Sequence, residues 1–436
     1  MIKKGAGLMK IDGHRQEDFA RKKNYGTKFD RKVIGITGPD LIIDHGGAVN
    51  HAINVIEQLK DEFDFIFLPA PWNLTKYMMS EDSSLKRIKF LRSKGIIISN
   101  RLDKAVKYKL KEYNLLNNFT ESHIDVVFNF DYHFPLENED YTRLIAKNFT
   151  VRYGICLQGL GDYNLSFFPY FRNTIKLLFT CKTYKVVAYR IYQYLSRIAV
   201  ISRINHDSNL NIILAINSNL KDNVRLKRRI HTLIPSNGME NPSELSLKVQ
   251  GIDSAYSKKD QIIFVARQSY AKGTFDLKPI MDIVFKNVNS KLILIGRFEH
   301  MSEERLFKKI MNTYLKSGQI VYRGFVDDEE LYNEIASSKL MIYPSHSDSF
   351  SITVLQSLSL KTPVIAYNIA GLRIYQGLQA VHLVEEFNYS AMATEVLKLL
   401  KTDNLSSLFG KDEENFIKKY TWTDVAMQYR KYFQIL

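Results

Sequence analysis

Arg267 and Lys272-Gly273 follow the short apolar run Gln261-Ile-Ile-Phe-Val265, which reads as a buried strand. Seventy-five residues past Gly273 comes Asp348-Ser-Phe-Ser-Ile-Thr-Val-Leu-Gln356, which reads as a loop feeding a helix. Two fixed cations and a helix start suit a diphosphate. A guanidinium grips phosphate oxygens in a bidentate fork and an ammonium adds a point charge. A helix amino end adds unpaired N–H groups and a positive dipole end. Alone, the first pair is also compatible with solvated surface residues, and the second segment with an ordinary capped helix over Val354, Leu355 and Leu358. Their position after buried strands is what favours ligand binding, because open α/β sheets bind at strand carboxyl ends.

The elements that must position them alternate short β-type runs with amphipathic helical stretches, which predicts α/β layers with parallel sheets. Strands are expected over residues 32–37, 64–68, 95–99, 124–128, 150–156 and 197–202, with 212–216 either strand or helix turn. A second series is expected over 262–266, 291–295, 319–322, 340–343 and 362–366. The reading gives a basic extension at 1–31, a first doubly wound domain at 32–245, a second at 246–415, and a last amphipathic helix at 416–436. Residues 239–260 are polar and read as linker. Two such domains face each other across a cleft lined by their strand carboxyl ends.

In order and spacing these segments resemble the family 4 glycosyltransferases. Arg267-x4-Lys272-Gly273 is similar to that family's R-x4-K-G, and Asp348 to Gln356 to its E-x7-E stretch, E-G-F-G-x3-L-E-A. Leu292-Ile-Leu-Ile-Gly296, Gly324-Phe325-Val326, Tyr343-Pro-Ser345, Thr362-Pro-Val-Ile-Ala366 and Ile369-Ala-Gly371 also have counterparts. The likeness covers about residues 260–375 strongly. It reaches the first domain weakly, through Gly46-Gly47-Ala48 and Ile234-Pro-Ser-Asn-Gly238, and the last helix through Tyr420-Thr-Trp422.

The resemblance implies a GT-B fold, a last helix that crosses back to the first domain, and retaining transfer of a hexose-type sugar from a nucleotide-diphosphate donor. Carried over by position, Arg267 and Lys272 hold the diphosphate, and Asp348 meets donor-sugar hydroxyls. Gly46, Gly47, Gly296, Phe325, Ser349, Phe350, Ser351 and Ile352 line the donor, and Gln356 meets the ribose diol. The chain departs from the family in three places. Asp348 is one carbon shorter than the family's glutamate and Gln356 is neutral. Ser349 and Ser351 replace glycines. Gln158, in Cys156-Leu-Gln158-Gly159, stands where many relatives carry a histidine. A glutamine there can bond a sugar or acceptor but does not titrate. That is compatible with front-face departure, in which the leaving phosphate takes the acceptor proton. His45 and His51 read as structural.

The charge of +15 lies mostly in residues 1–32 and 151–250. Residues 163–206 contain no acid, seven Lys or Arg and ten aromatic residues, a composition that suits an anionic membrane surface. No nucleic-acid motif accompanies the charge. Two cysteines, Cys156 and Cys181, argue for a reducing compartment and against a disulfide scaffold or zinc site. The absence of D-x-D predicts no tightly bound metal and no cofactor beyond the nucleotide-sugar co-substrate. Without an apolar h-region or an 18-residue apolar run, the chain is expected in the cytoplasm, peripheral at the inner membrane face, as monomer or homodimer. The acceptor is expected to be a glycan or a lipid-linked sugar. The changes at 348 and 356 leave a weakened sugar-nucleotide-binding subunit as an alternative, and a nucleotide-sugar epimerase on the same fold is another.

Overall fold

A computed structural model describes residues 31–43, 46–109, 123–132, 136–158, 175, 184–217, 227–239, 245, 258–298 and 300–436. The basic extension, His45, most of the linker and the aromatic run 167–172 lie outside these residues.

Near-continuous apolar runs build the strands, as parallel sheets covered on both faces require. The first sheet comprises β1 (Lys32–Gly38), β2 (Phe63–Phe67), β3 (Ile96–Ile97), β4 (Val126–Asn129), β5 (Tyr153–Leu157), β6 (Leu210–Ala215) and β7 (His231–Thr232). Its order is β3-β2-β1-β4-β5-β6-β7, with every pairing parallel. The second comprises β8 (Lys259–Val265), β9 (Lys291–Ile295), β10 (Ile320–Gly324), β11 (Ser338–Tyr343), β12 (Val364–Tyr367) and β13 (Val381–Val384). It runs β10-β9-β8-β11-β12-β13, again all parallel. In each sheet the order reverses beside its first strand, at β1/β4 and at β8/β11. A crevice opens at such a reversal because the flanking connections leave in opposite directions. The architecture is the two-domain, Rossmann-like GT-B fold.

Two helices tie the ends of the chain together. Helix α1 (Gly47–Leu59) buries Val49, His51, Ala52, Ile53, Val55, Ile56 and Leu59 on one face. The last helix, α6 (Trp422–Ile435), packs against it and places Val425, Ala426, Tyr429, Tyr432 and Phe433 in the first domain's core. Phe433 meets the rings of Phe63, Phe65, Phe128 and Phe130. The tail expected as one helix from Phe416 is two. Helix α5 (Lys411–Lys418) ends before Tyr420, and α6 restarts at Thr421, whose hydroxyl accepts the N–H of Asp424. Phe416, Ile417 and Tyr420 pack on the second core, and Val425 onward in the first, so the break is where the chain changes domain. There Met239 N–H donates to Tyr420 O (2.9 Å), so the outgoing and returning connections run side by side.

The strand expected at residues 197–202 is instead part of the 23-residue helix α2 (Tyr184–His206). Its β-branched run suggests a strand, but Tyr194, Ile201 and Ile204 are buried at helical spacing, and tertiary packing overrides propensity. The ambiguous run at 212–216 is strand as far as Ala215, the end of β6.

Candidate functional site

Two loops meet at the β8/β11 reversal. The first leaves β8 with Arg267 exposed, then turns through Tyr270–Lys272 into Gly273, whose φ is 74°. A Cβ on Gly273 would lie 1.8 Å from Pro344 O, so the glycine lets the second loop approach. The second loop runs from Pro344 to the amino end of α4 (Ile352–Ser359). Gly371 supports it from behind, where a Cβ would lie 1.9 Å from Asp348 O.

Asp348 is the hub of that loop. Its Oδ2 accepts from Lys272 Nζ at 2.7 Å and from the Tyr343 hydroxyl at 2.6 Å. Its Oδ1 accepts the N–H groups of Ser349 and Ser351, each at 3.0 Å. Lys272 also donates to Ser347 O at 2.9 Å. The side chains of Lys272 and Asp348 are 19% and 12% exposed, so little water screens the pair. Burial pushes the Asp348 carboxyl up, but Lys272 and the donated hydrogen bonds more than offset this and hold it below its usual range. Both carboxylate oxygens of Asp348, the residue expected against donor-sugar hydroxyls, are thus engaged in shaping this loop.

Ser351 carries an unusual backbone, φ 58° and ψ 90°, in the left-handed half of the map. Three contacts hold it: its hydroxyl caps Val354 N–H, its N–H meets Asp348, and its carbonyl accepts from the Tyr375 hydroxyl at 2.9 Å. The first-turn N–H groups of Ile352 and Thr353 have no carbonyl within the helix to bond, which leaves α4 an anion-binding end. Gln356 sits one turn on, half-buried.

Beneath the loop lies a group that the sequence reading missed. The His346 ring is fully buried, with Nδ1 2.7 Å from Glu386 Oε1 and Nε2 3.0 Å from Asp276 Oδ2. Asp276 also accepts from the Tyr367 hydroxyl at 2.8 Å. Burial alone would lower the imidazole, but the two carboxylates raise it to about 9. No sequence spacing marks this group, because its three members come from three separate loops.

The other expected donor residues fall in several places. Gly296 closes β9, where its N–H donates to Gly324 O. Phe325 is 71% exposed after β10, with the Arg297 guanidinium 4.9 Å from its ring centre. Phe350, expected at the donor, is instead 1% exposed and packs on Tyr375 and Tyr420. An aromatic side chain at the start of a buried helix finds more apolar area inward than in the cleft. Gly46 and Gly47 open α1, and nothing lies within 4 Å of a Cβ built on either.

Gln158, expected at the sugar or acceptor, is buried after β5 with its side-chain amide engaged within the first domain. That amide donates to Phe130 O at 2.8 Å, and the Gln158 main-chain carbonyl accepts from the Ser349 hydroxyl. Asn217, after β6, donates to Ser349 O at 3.1 Å. Ser349 therefore receives the first domain from two sides. His51 is buried as read, its nitrogens 2.7 Å from Asn237 Oδ1 and 2.8 Å from the Tyr429 hydroxyl. Among the described residues, no cluster of three or more His, Cys, Asp or Glu is placed to hold a metal ion.

Comparison with known proteins agrees with this fold. Residues 250–419 match the family model described as glycosyl transferases group 1. An uncharacterized glycosyltransferase of Methanocaldococcus jannaschii is 27% identical over 190 residues, 42% of this chain and 47% of that protein. The chain spans about half the length of the curated relatives it matches, 47% and 40% for two of them. In fold it is similar to the sucrose-phosphate synthase of Thermosynechococcus elongatus (TM-score 0.64, 15% identity, covering 93% of this chain and 100% of that one). It is also similar to Anabaena HepE in complex with UDP-glucose (TM-score 0.61, 12% identity, 93% and 100% covered).

Proposed function

We propose that this chain, which belongs to the glycosyl transferases group 1 through residues 250–419, is a retaining glycosyltransferase that takes a hexose-type sugar from a nucleotide-diphosphate donor. The observation that carries the reading is the convergence of Arg267, Lys272 and the amino end of α4 at the β8/β11 reversal. The diphosphate would lie between them, where cations and helix amides stabilise the charge that grows as it leaves. The anomeric C–O bond to the diphosphate breaks while the acceptor oxygen bonds from the same face, and the acceptor proton passes to the departing phosphate oxygen. This route needs no titrating side chain at Gln158.

The base would extend along the sheet edge. Loops after β8, β9 and β10 follow one another about 5 Å apart. Phe325, backed by Arg297, therefore stands roughly 10 Å from the diphosphate, a span a nucleoside can bridge, and its exposed ring offers a stacking face. The acceptor is a glycan or lipid-linked sugar at the cytoplasmic membrane face. Supporting this, α2 exposes Ile191, Tyr192 and Leu195 on one side within the acid-free segment. Anionic lipid complements such a basic, aromatic helix.

The test is a panel of sugar nucleotides with calorimetry, donor hydrolysis and glycolipid analysis as readouts. Binding of one donor, weakened at least tenfold in Arg267→Ala, is expected. Absence of any binding, with Arg267→Ala behaving as wild type, rejects the reading. Salt-sensitive flotation with anionic liposomes is expected for the membrane part, and flotation no better than with neutral lipid removes it.

A further inference from the structure

The buried charge group beneath the site loop has no part in the chemistry above, and three loops depend on it. His346 belongs to the loop after β11, Asp276 to the segment after β8, and Glu386 to the segment after β13. The His346 N–H also donates to Ala271 O at 2.9 Å, beside Lys272. Its ring stacks on Phe387 with centroids 4.5 Å apart, and its side chain is 0% exposed. The ionisable groups that face it are Asp276, Glu386 and the hydroxyl of Tyr367, with Tyr389 acting on Tyr367 from beyond.

A neutral imidazole has one N–H and one lone pair. Here both ring nitrogens lie against carboxylate oxygens, at 2.7 and 3.0 Å. A neutral ring would satisfy one and set its lone pair against the other. The doubly protonated ring removes that conflict: Nδ1 donates to Glu386, and Nε2 makes a 3.0 Å ion-pair contact with Asp276 without hydrogen-bond alignment. Removing that charge would leave two carboxylates facing each other across an apolar ring slot, an arrangement that low dielectric makes costly.

We propose that His346 is a positioning residue: held as an imidazolium between Asp276 and Glu386, it locks the Pro344–Ser351 loop, and with it Lys272 and Asp348, in the geometry that receives a diphosphate. The proposal rests on the donor-site reading above for its ligand, but not for the loop locking. One residue, Ser347, separates His346 from Asp348 along the chain, and the Ala271 contact joins it to the Lys272 turn. A slack ring would therefore misplace both halves of the phosphate grip at once. The sign with pH follows. The folded ring keeps its proton to about 9, against 6.5 for an ordinary histidine. The locking is complete below the ordinary value and is lost as pH rises through the folded one.

The test uses the full chain, with His346→Gln and Glu386→Gln, and uridine diphosphate as probe. Amide hydrogen exchange of residues 344–351 is measured first, without ligand. At about pH 7.5 we expect exchange at least about tenfold faster in His346→Gln, while the β8 and β9 amides stay protected. Uridine diphosphate titrations from about pH 7 to about pH 10 follow. Wild-type affinity should fall in a step near pH 9 that His346→Gln lacks and that Glu386→Gln moves to lower pH. Unchanged exchange in His346→Gln, or an alkaline step that persists in it, overturns the proposal. Faster local exchange in His346→Gln, together with a wild type that binds no nucleotide diphosphate, leaves the loop lock standing and rejects the donor-site reading instead. Loss of protection across all strands in His346→Gln would mark a folding defect. Glu386→Gln, which removes one carboxylate and keeps the ring, then decides: an unshifted step overturns the proposal.

Discussion

The Lys272 ammonium lies 2.7 Å from the Asp348 carboxylate, so the cation and the acid of the two separated motifs are bonded to each other. The pair fixes the distance between the β8 and β11 loops. It also sets the electrostatics of the site: the Lys272 cation is partly neutralised within the protein, while Arg267 lies exposed after β8.

Breaking that pair should cost stability as well as binding. Lys272→Ala leaves a buried carboxylate without its cation, worth about 3 kcal/mol of lost stability. Asp348→Asn added to it should restore much of that loss without restoring nucleotide binding. Denaturant midpoints and calorimetry on the two single variants and the double variant separate the effects.

Ser349 carries the contacts to Gln158 and Asn217 across the domains. Ser349→Gly removes the hydroxyl but not the Asn217 contact to the main chain. We expect a more open average shape in small-angle scattering and a severalfold higher KM for the donor. Unchanged scattering and KM would show that the hydroxyl contact does not hold the domains.

Ser351 separates two opposing effects. Ser351→Ala keeps the left-handed backbone and loses the cap on Val354, and should destabilise by about 1 kcal/mol. Ser351→Gly loses the same cap but relieves the backbone, a gain of roughly 1 kcal/mol that should bring it back near wild type. The order of urea midpoints, with Ala below Gly, is the result to look for.

His51 gives an acid-side signature. Burial holds its imidazole at about 4, with the Asn237 contact opposing, against 6.5 in an open chain. The unfolded state therefore binds the proton first, and stability should fall as pH drops from about 6.5 towards about 4, by roughly 3 kcal/mol in all. Denaturation curves across that range should show a smaller drop in His51→Gln. An equal drop would mean that the ring does not stay neutral.

The sequence by itself determined the parts that depend on local pattern. Apolar runs announced two series of parallel strands, and the spacing of Arg267 and Lys272-Gly273 announced a cationic loop at the carboxyl end of β8. The backbone explains the glycine: Gly273 is needed where Pro344 O comes close. The crossing of the last helix was legible in Tyr420-Thr-Trp422, though its break at Thr421 was not, because that break serves a change of domain and not a change of propensity. Tertiary structure decided the rest. Residues 197–202 fold as helix because their neighbours bury one helical face. Phe350 turns inward and Gln158 spends its amide on Phe130, since each finds its better partner in packing that a linear spacing does not encode. Asp276, His346 and Glu386 are seventy and forty residues apart in the chain. They meet only when β8, β11 and β13 end on one side of the sheet, and there the two carboxylates keep the buried imidazole charged against the effect of burial.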